Sequence, residues 1–263
     1  AREVLAAINR EFRGGASAVR RVLPAVARGV RLVTAALAAG GRLIFVGAGT
    51  SGRLGVLEAA ECPPTFGTDP DQVGAVIAGG PAAVFRSREG AEDDRGAGAQ
   101  EMRRLRIGAR DAVVGISASG VTPFALGAVA EARRRGGATL WVTCSPPARG
   151  TRPVAAVVIA PRVGPEVLAG STRLKAGTAT KLVLNMLTLA SMVGLGKVHG
   201  NRMVDLVPRS VKLRVRALRL IHDLGRVSRK KAQRYYQSSG GHAKLAIVMA
   251  RRNCRSRRCG RSH

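Results

Sequence analysis

Gly47-Ala-Gly-Thr-Ser-Gly-Arg53 follows an apolar run directly and opens a helical one. Small residues at Gly49 and Gly52 let backbone approach an anion. N–H groups at a helix start would donate to it beside the Thr50 and Ser51 hydroxyls. No Gly-Lys-Ser/Thr follows, so this is not a Walker loop, and the run into Arg53 is read apart from a dinucleotide fingerprint. Taken alone, the segment is equally well a plain tight turn. A second turn of the same type, Ser117-Ala-Ser-Gly-Val-Thr122-Pro123, follows a later apolar run and offers Ser117, Ser119, Gly120 and Thr122. Two hydroxyl-rich turns at the carboxyl ends of adjacent strands converge on one crevice, where open α/β sheets bind ligands. That chemistry suits a phosphosugar better than a dinucleotide.

The elements that must hold these turns are legible as alternation. Short, continuously apolar runs at residues 42–47, 74–78, 112–116, 139–143 and 155–159 predict strands covered on both faces. Helical stretches at 18–39, 53–60, 84–105 and 122–135 lie between them. This is the pattern of parallel crossovers in a doubly wound, three-layer α/β sandwich. Residues 175–194 read as one long helix, apolar nearly all round and so buried, against a second subunit in one reading. Further helices are predicted over 209–224, 228–237 and 242–252. From 253 the chain is Arg, Ser, Cys and Gly with no apolar period, the composition of a disordered tail.

The paired turns resemble the sugar isomerase (SIS) domain, a phosphosugar-binding fold with a five-stranded parallel, flavodoxin-like sheet. Four longer blocks narrow the resemblance: residues 47–70 (GAGTSGRLGVLEAAECPPTFGTDP), 89–94 (EGAEDD), 163–187 (VGPEVLAGSTRLKAGTATKLVLNML) and 196–208 (GKVHGNRMVDLVP). Across roughly residues 1–250 they are similar to the etherases that remove lactate from N-acetylmuramic acid 6-phosphate. A related regulator of glucokinase shares the fold and some blocks. The resemblance implies two catalytic carboxylates at Glu61 and Glu92. Removing the C2 proton of a ring-opened aldehyde needs a base, and expelling the C3 lactyl oxygen needs an acid. One carboxyl must then be ionised and the other protonated. We assign Glu61 as acid and Glu92 as base, an order that the sequence leaves open. The resemblance also implies a cytoplasmic homodimer working in the recycling of cell-wall amino sugars, with no metal or other cofactor.

Glu166, Ser171 and Lys175 open the long helix, and SIS domains often bring this segment to the sugar-phosphate pocket. The other reading is capping, with Ser171 or Thr172 as N-cap and Lys175 solvated. His199 is read as a packed histidine, with ligand contact across a dimer interface as the alternative. Two departures from the family pattern stand out. Val121 replaces the arginine of the usual Ser-Gly-Arg-Thr-Pro, removing a guanidinium beside the pocket and with it substrate affinity or turnover. The chain also begins part-way into the family's opening helical segment, and a small UBA-like module ends early in a basic extension. The expected domains are a catalytic SIS domain over 1–205, a helical linker with the truncated module over 206–252, and the tail over 253–263.

Composition limits the alternatives. Hydrophobic residues at 46% and charged residues at 23% are ordinary for a globular chain, while aromatics at 3% favour a core of Ala, Val, Leu and Ile. The net charge of +28 is not ordinary. Residues 206–263 hold 17 Lys or Arg against one acid, Asp223, a net +16. Without interleaved aromatics this reads as basic solvated faces and a basic tail rather than a nucleic-acid site. Four scattered cysteines lack a disulfide framework and imply a reducing compartment. Cys254, Cys259 and His263 lack the pairing of a metal site. No uninterrupted apolar run reaches the ~18 residues of a membrane span, and no signal segment opens the chain. Besides the lyase, three readings remain: a non-catalytic sugar-phosphate-binding regulator, an aldose–ketose isomerase, and a nucleic-acid binder acting through the tail.

Overall fold

The computed structural model of the chain describes residues 1–145, 154–206, 208 and 211–254. The apolar runs form strands β1 (Leu43–Gly47), β2 (Val73–Ile77), β3 (Ala112–Ile116), β4 (Ala138–Val142) and β5 (Val157–Ile159). They make one parallel five-stranded sheet in the order β2-β1-β3-β4-β5. Every residue of β1 and β3 is buried, the two-sided covering that continuous apolar strands require. Gly47 at the end of β1 is in register with Ile77 on one side and Ile116 on the other. The carboxyl ends of β1, β2 and β3 therefore finish level. From β1 the chain steps outward to β2 and then back across to β3. That reversal opens a crevice at their carboxyl ends.

Helices cover both faces. On one lie α2 (Leu23–Ala38), α3 (Gly49–Phe66) and α6 (Lys175–Gly194). Gly29 of α2 packs against Leu140, Ile159 and Leu187, and Gly55 of α3 against Phe45. The other face carries α4 (Arg95–Arg104) and α5 (Pro123–Arg134), with a core of Ile44, Val46, Met102, Val113, Phe124 and Ala128. Within this pair Gly98 and Gly127 allow near backbone contact. A Cβ at Gly98 would stand 1.9 Å from the Phe124 carbonyl oxygen, and one at Gly127 would stand 2.0 Å from that of Arg95. At the amino ends of the strands, Asp111 accepts from Arg42 Nε at 3.1 Å and Nη2 at 2.9 Å, and from the Arg42 and Gly108 N–H groups.

Two predicted helices are corrected. Residues 18–39 are not one helix: α1 (Arg2–Arg20) ends first, and α2 restarts with Pro24 in its first turn, where a missing N–H costs nothing. Residues 84–105 are not one helix either. A 3-10 turn, Pro81–Val84, is followed by irregular chain with Gly90 at φ +74°, and α4 begins only after Asp94, whose carboxylate accepts from the Ala97 N–H at 2.8 Å. Helix α3 is longer than predicted and continues through Pro63 and Pro64.

The chain divides into two compact units: Ala1–Ala60 with Pro70–Ser191, and Glu61–Asp69 with the chain from Met192 onward. In the second, α7 (Val211–Gly225), α8 (Arg229–Ser238) and α9 (Ala243–Arg252) bury Leu206, Ala217, Leu220 and Ala243 in one cluster and Ile221, Ala232 and Ala246 in another. A two-residue antiparallel ladder, β6 (Val198–His199) with β7 (Arg202–Met203), was not foreseen, since strands so short leave no alternation. The Ser228 hydroxyl caps α8 by accepting from the Lys231 N–H at 3.3 Å. Cys62 and Cys144 are free thiols. The predicted tail from residue 255 lies outside the described residues. By length and composition α6 passes for a membrane span, yet Ala176, Ala179, Val183, Leu184 and Leu187 are buried in the first unit, as in a core helix.

Candidate active site at the carboxyl ends of the central strands

The first turn is shaped by what its glycines omit. Gly49 stands at φ +51°, where a side chain would be strained. A Cβ on Gly52 would lie 2.6 Å from Ile77 Cγ1 and 2.8 Å from the Gly47 carbonyl oxygen. The loop therefore folds back on the end of β2 and delivers Thr50 and Ser51, both half-buried, into the first turn of α3. The Gly52 N–H donates to the Ala48 carbonyl at 3.1 Å, and the N–H groups of residues 49–51 at the start of α3 are the ones the sequence reading offers to an anion. The start of α6 is also close: a Cβ on Gly177 would be 3.7 Å from Thr50 Cγ2.

The second turn is knotted around Ser117. Its buried hydroxyl bonds to Thr122 Oγ1 at 2.8 Å and Ser119 Oγ at 3.3 Å, and accepts from the Gly120 N–H at 3.0 Å. Ser117 thus organises the turn from below, while Ser119 is exposed on it. Gly120 at φ +83° passes close to Thr143 and Ser145 beyond β4. Val121, at the departure from the family pattern, is 70% exposed.

Glu92 joins the two turns. It lies in the loop before α4, not in the helix as predicted. Its backbone carbonyl accepts from the Phe124 N–H at 2.9 Å, at the start of α5 and directly after the second turn. The close approach of α4 to α5 through Gly98 and Gly127 permits that link. Glu92 lines a small cleft of about 110 Å³ with Ala48 and Gly49 of the first turn, Arg53, Ala78, Ala83, Ser87, Arg88 and Glu89. Glu61 is exposed on the carboxyl-terminal part of α3 and belongs to the second unit.

The segment before α6 resolves differently from either sequence reading. The Glu166 carboxylate accepts from the Lys175 N–H at 3.1 Å and the Ala176 N–H at 2.9 Å, so Glu166 caps α6 rather than Ser171 or Thr172. Ser171 is half-buried in the turn ahead of the helix, where its carbonyl accepts from the Leu174 N–H. Lys175 is only 4% exposed rather than solvated, and its ammonium lies 2.5 Å from Glu11 Oε2. The hydrogen bond from Lys175 holds the Glu11 carboxyl below its ordinary range. A charge already paired inside the first unit is a weaker phosphate ligand than a free one.

Three residues were not singled out in the sequence. Arg53 and Arg88 are in the Glu92 cleft, and Arg53 directly follows the Gly-rich turn, a spacing that could have flagged it. Glu58 is buried on α3, accepting from Thr188 Oγ1 at 2.5 Å and Asn185 Nδ2 at 2.7 Å, with Lys181 Nζ 3.5 Å away. Nothing local distinguishes it from any other helical glutamate.

Two larger cavities lie in the second unit. One of about 530 Å³ is lined by Val198, His199, Val204, Leu224, Lys244 and Ile247, among others. His199 is exposed at its edge. A second, of about 550 Å³, lies between α7 and α8. We favour the smaller cleft as the site because it alone of these combines the anion-binding turn with acids and guanidiniums. Among the described residues no group of three or more His, Cys, Asp or Glu is placed to hold a metal ion.

Comparison with known proteins speaks to the fold and the family. Residues 25–133 match the glucokinase regulatory protein N-terminal SIS domain. Solved phosphoheptose isomerases share the fold at low identity. The one from Francisella tularensis aligns with TM-score 0.55 and 15% identity, covering 73% of this chain and 97% of that one. That from Neisseria gonorrhoeae gives 0.52 and 16%, covering 72% and 98%. Sequence relatives are much nearer. The N-acetylmuramic acid 6-phosphate etherase of Shouchella clausii is 49% identical over 252 residues, 96% of this chain and 85% of its own length. That of Cutibacterium acnes is 51% identical over 247 residues, 94% and 81%. Near-complete coverage at half identity, on an SIS-type sheet with the expected turns at its carboxyl edge, makes this chain a member of the N-acetylmuramic acid 6-phosphate etherase family.

Proposed function

We propose that this chain is a carbon–oxygen lyase that cleaves the D-lactyl ether of N-acetylmuramic acid 6-phosphate. The observation that carries the reading is Glu92, a carboxylate in a cleft built on the anion-binding turn after β1. The phosphate rests on the N–H groups of residues 49–51 and the Thr50 and Ser51 hydroxyls, where Gly52 lets the loop turn, with Ser119 and Gly120 of the second turn beside it and Ser117 and Thr122 holding that turn in shape. In the ring-opened sugar, the C1 aldehyde acidifies C2–H. Glu92 removes that proton, the electron pair forms a C2–C3 double bond, and the C3–O bond breaks. Glu61, as general acid, gives a proton to the departing oxygen, releasing D-lactate. Water then adds at C3, C2 is reprotonated, and N-acetylglucosamine 6-phosphate results. Proton removed and proton donated balance, so the chemistry consumes no oxidant or reductant.

Such an enzyme belongs in cytoplasmic recycling of cell-wall amino sugars. A homodimer fits the apolar surface left on α1, where Val4 and Leu5 are exposed, and on α6, where Leu189 is.

The test is release of D-lactate from N-acetylmuramic acid 6-phosphate by the wild type, Glu61→Gln and Glu92→Gln. Loss of general acid or base function should lower kcat about 1,000-fold in each. Variants that keep the wild-type rate would remove the two assignments, and a wild type that releases no lactate would remove the activity.

A further inference from the structure

The Glu92 cleft holds more charge than proton transfer requires. Arg53 is half-buried and its Nε donates to the Val84 carbonyl oxygen at 2.8 Å. That bond fixes the guanidinium plane, and no described residue is paired with its two terminal nitrogens. Arg88 is exposed at the rim. Its stem lies across Gly79, which sits at φ +82°; a Cβ there would be 2.9 Å from Arg88 Cδ and 3.1 Å from Arg88 Cβ. Both arginines line the same small space as Glu92. Neither makes an ion pair within 4.0 Å with a described residue. Two guanidiniums at one cleft, one fixed through its Nε and the other with its stem packed across a glycine, form a fork for an oxyanion.

We propose that Arg53 and Arg88 bind the carboxylate of the substrate's lactyl group and so make the enzyme selective for an acidic ether. This rests on the etherase reading above. The substrate carries two anions, and position decides between them. The lactyl carboxylate is separated from the breaking C3–O bond by a single carbon. The phosphate is at the far end of the chain, four carbons from C2. Arg53 and Arg88 share a cleft of about 110 Å³ with the base that touches C2, which sets them nearer the lactyl carboxylate than a phosphate held over Thr50, Ser51 and the second turn. That volume is well below the ~300 Å³ of a complete small-ligand pocket. It fits one carboxylate-bearing fragment, with the rest of the sugar phosphate extending over the two turns. Holding the carboxylate also orients the C3–O bond for departure and keeps the lactate anion from repelling Glu92.

The experiment compares the natural substrate with its neutral lactyl amide, for the wild type, Arg53→Gln and Arg88→Gln. Binding is read separately in a Glu92→Gln background, where turnover is suppressed. The wild type should prefer the acid by about 100-fold in kcat/KM. Each arginine variant should raise KM for the acid about tenfold or more and leave KM for the amide nearly unchanged, collapsing the preference. Affinity for N-acetylglucosamine 6-phosphate, which has the phosphate but no lactyl group, should stay constant. A wild type indifferent to the amide, or variants that weaken acid and amide equally, would overturn the proposal. Variants that instead lose N-acetylglucosamine 6-phosphate would place the phosphate on these arginines and also overturn it. If the wild type binds acid over amide but releases no lactate, the etherase reading fails while the carboxylate clamp stands.

Discussion

At the scale of single residues, the two turns illustrate how similar side chains take different work. Ser117 is buried and spends its hydroxyl on Thr122, Ser119 and the Gly120 N–H, whereas Ser119 is exposed. Replacing Ser117 with Ala should therefore distort the turn, while replacing Ser119 should remove a ligand contact and leave the fold intact. Val121 offers the reverse test. It is largely exposed beside the turn, so a longer side chain meets no packing barrier. Val121→Arg should raise kcat/KM by on the order of fivefold through an added charge-assisted hydrogen bond. Steady-state kinetics on the 6-phosphate substrate would show it, and an unchanged value would mean that this position is out of reach of the ligand. Cys144 makes a third case. Burial pushes its thiol up to about 11, with Thr180 opposing and Glu166 adding to the effect. It should resist alkylation at pH 8 and react with iodoacetamide only under strongly alkaline conditions, as mass spectrometry of the modified peptide would reveal.

Among the elements, the sheet is pinned at the end opposite the site. Burial alone would raise the Asp111 carboxyl, but the Arg42 guanidinium and the Gly108 and Arg42 N–H groups outweigh burial and hold it below its ordinary range. A carboxyl depressed in the folded state stabilises fully above its unfolded value of about 3.9, and that contribution is lost as pH falls through the lower native value. Asp111→Asn leaves Arg42 without its partner and should cost about 3 kcal/mol at neutral pH, with the difference from wild type shrinking in acid. Urea unfolding at pH 7 and pH 3 measures this, and an equal penalty at both would contradict it. The α4–α5 contact is the element-scale feature closest to function. Gly98 and Gly127 bring two backbones together so that the Glu92 carbonyl can meet the Phe124 N–H.

For the whole molecule, the charge is the outstanding property. Of the net +28, residues 206–263 carry +16. No part of the proposed chemistry uses it. Attraction to polyanions should follow, driven by counterion release and blind to sequence. Affinity for a labelled oligonucleotide should drop at least about 100-fold between 50 and 200 mM salt. Fluorescence anisotropy would show this, and binding that ignores salt would point to a specific nucleic-acid site instead.

Much of the molecule is legible in its sequence, because periodicity and turn chemistry are local. Continuous apolar runs marked all five strands, since a strand buried on both faces has no polar side to show. The glycines and hydroxyls at 47–52 and 117–122 marked the turns, since only small residues permit close backbone approach. Boundaries were less legible where one residue decides, as at Pro24 and Asp94, which split helices that the apolar pattern had run together. Tertiary structure alone decided which charges meet. That Lys175 pairs with Glu11, that Glu58 is satisfied from α6, and that Arg53 and Arg88 share a cleft with Glu92 depend on segments far apart in the chain. Such partners are selected by packing in three dimensions, and an isolated charged residue carries no local trace of the partner it will find.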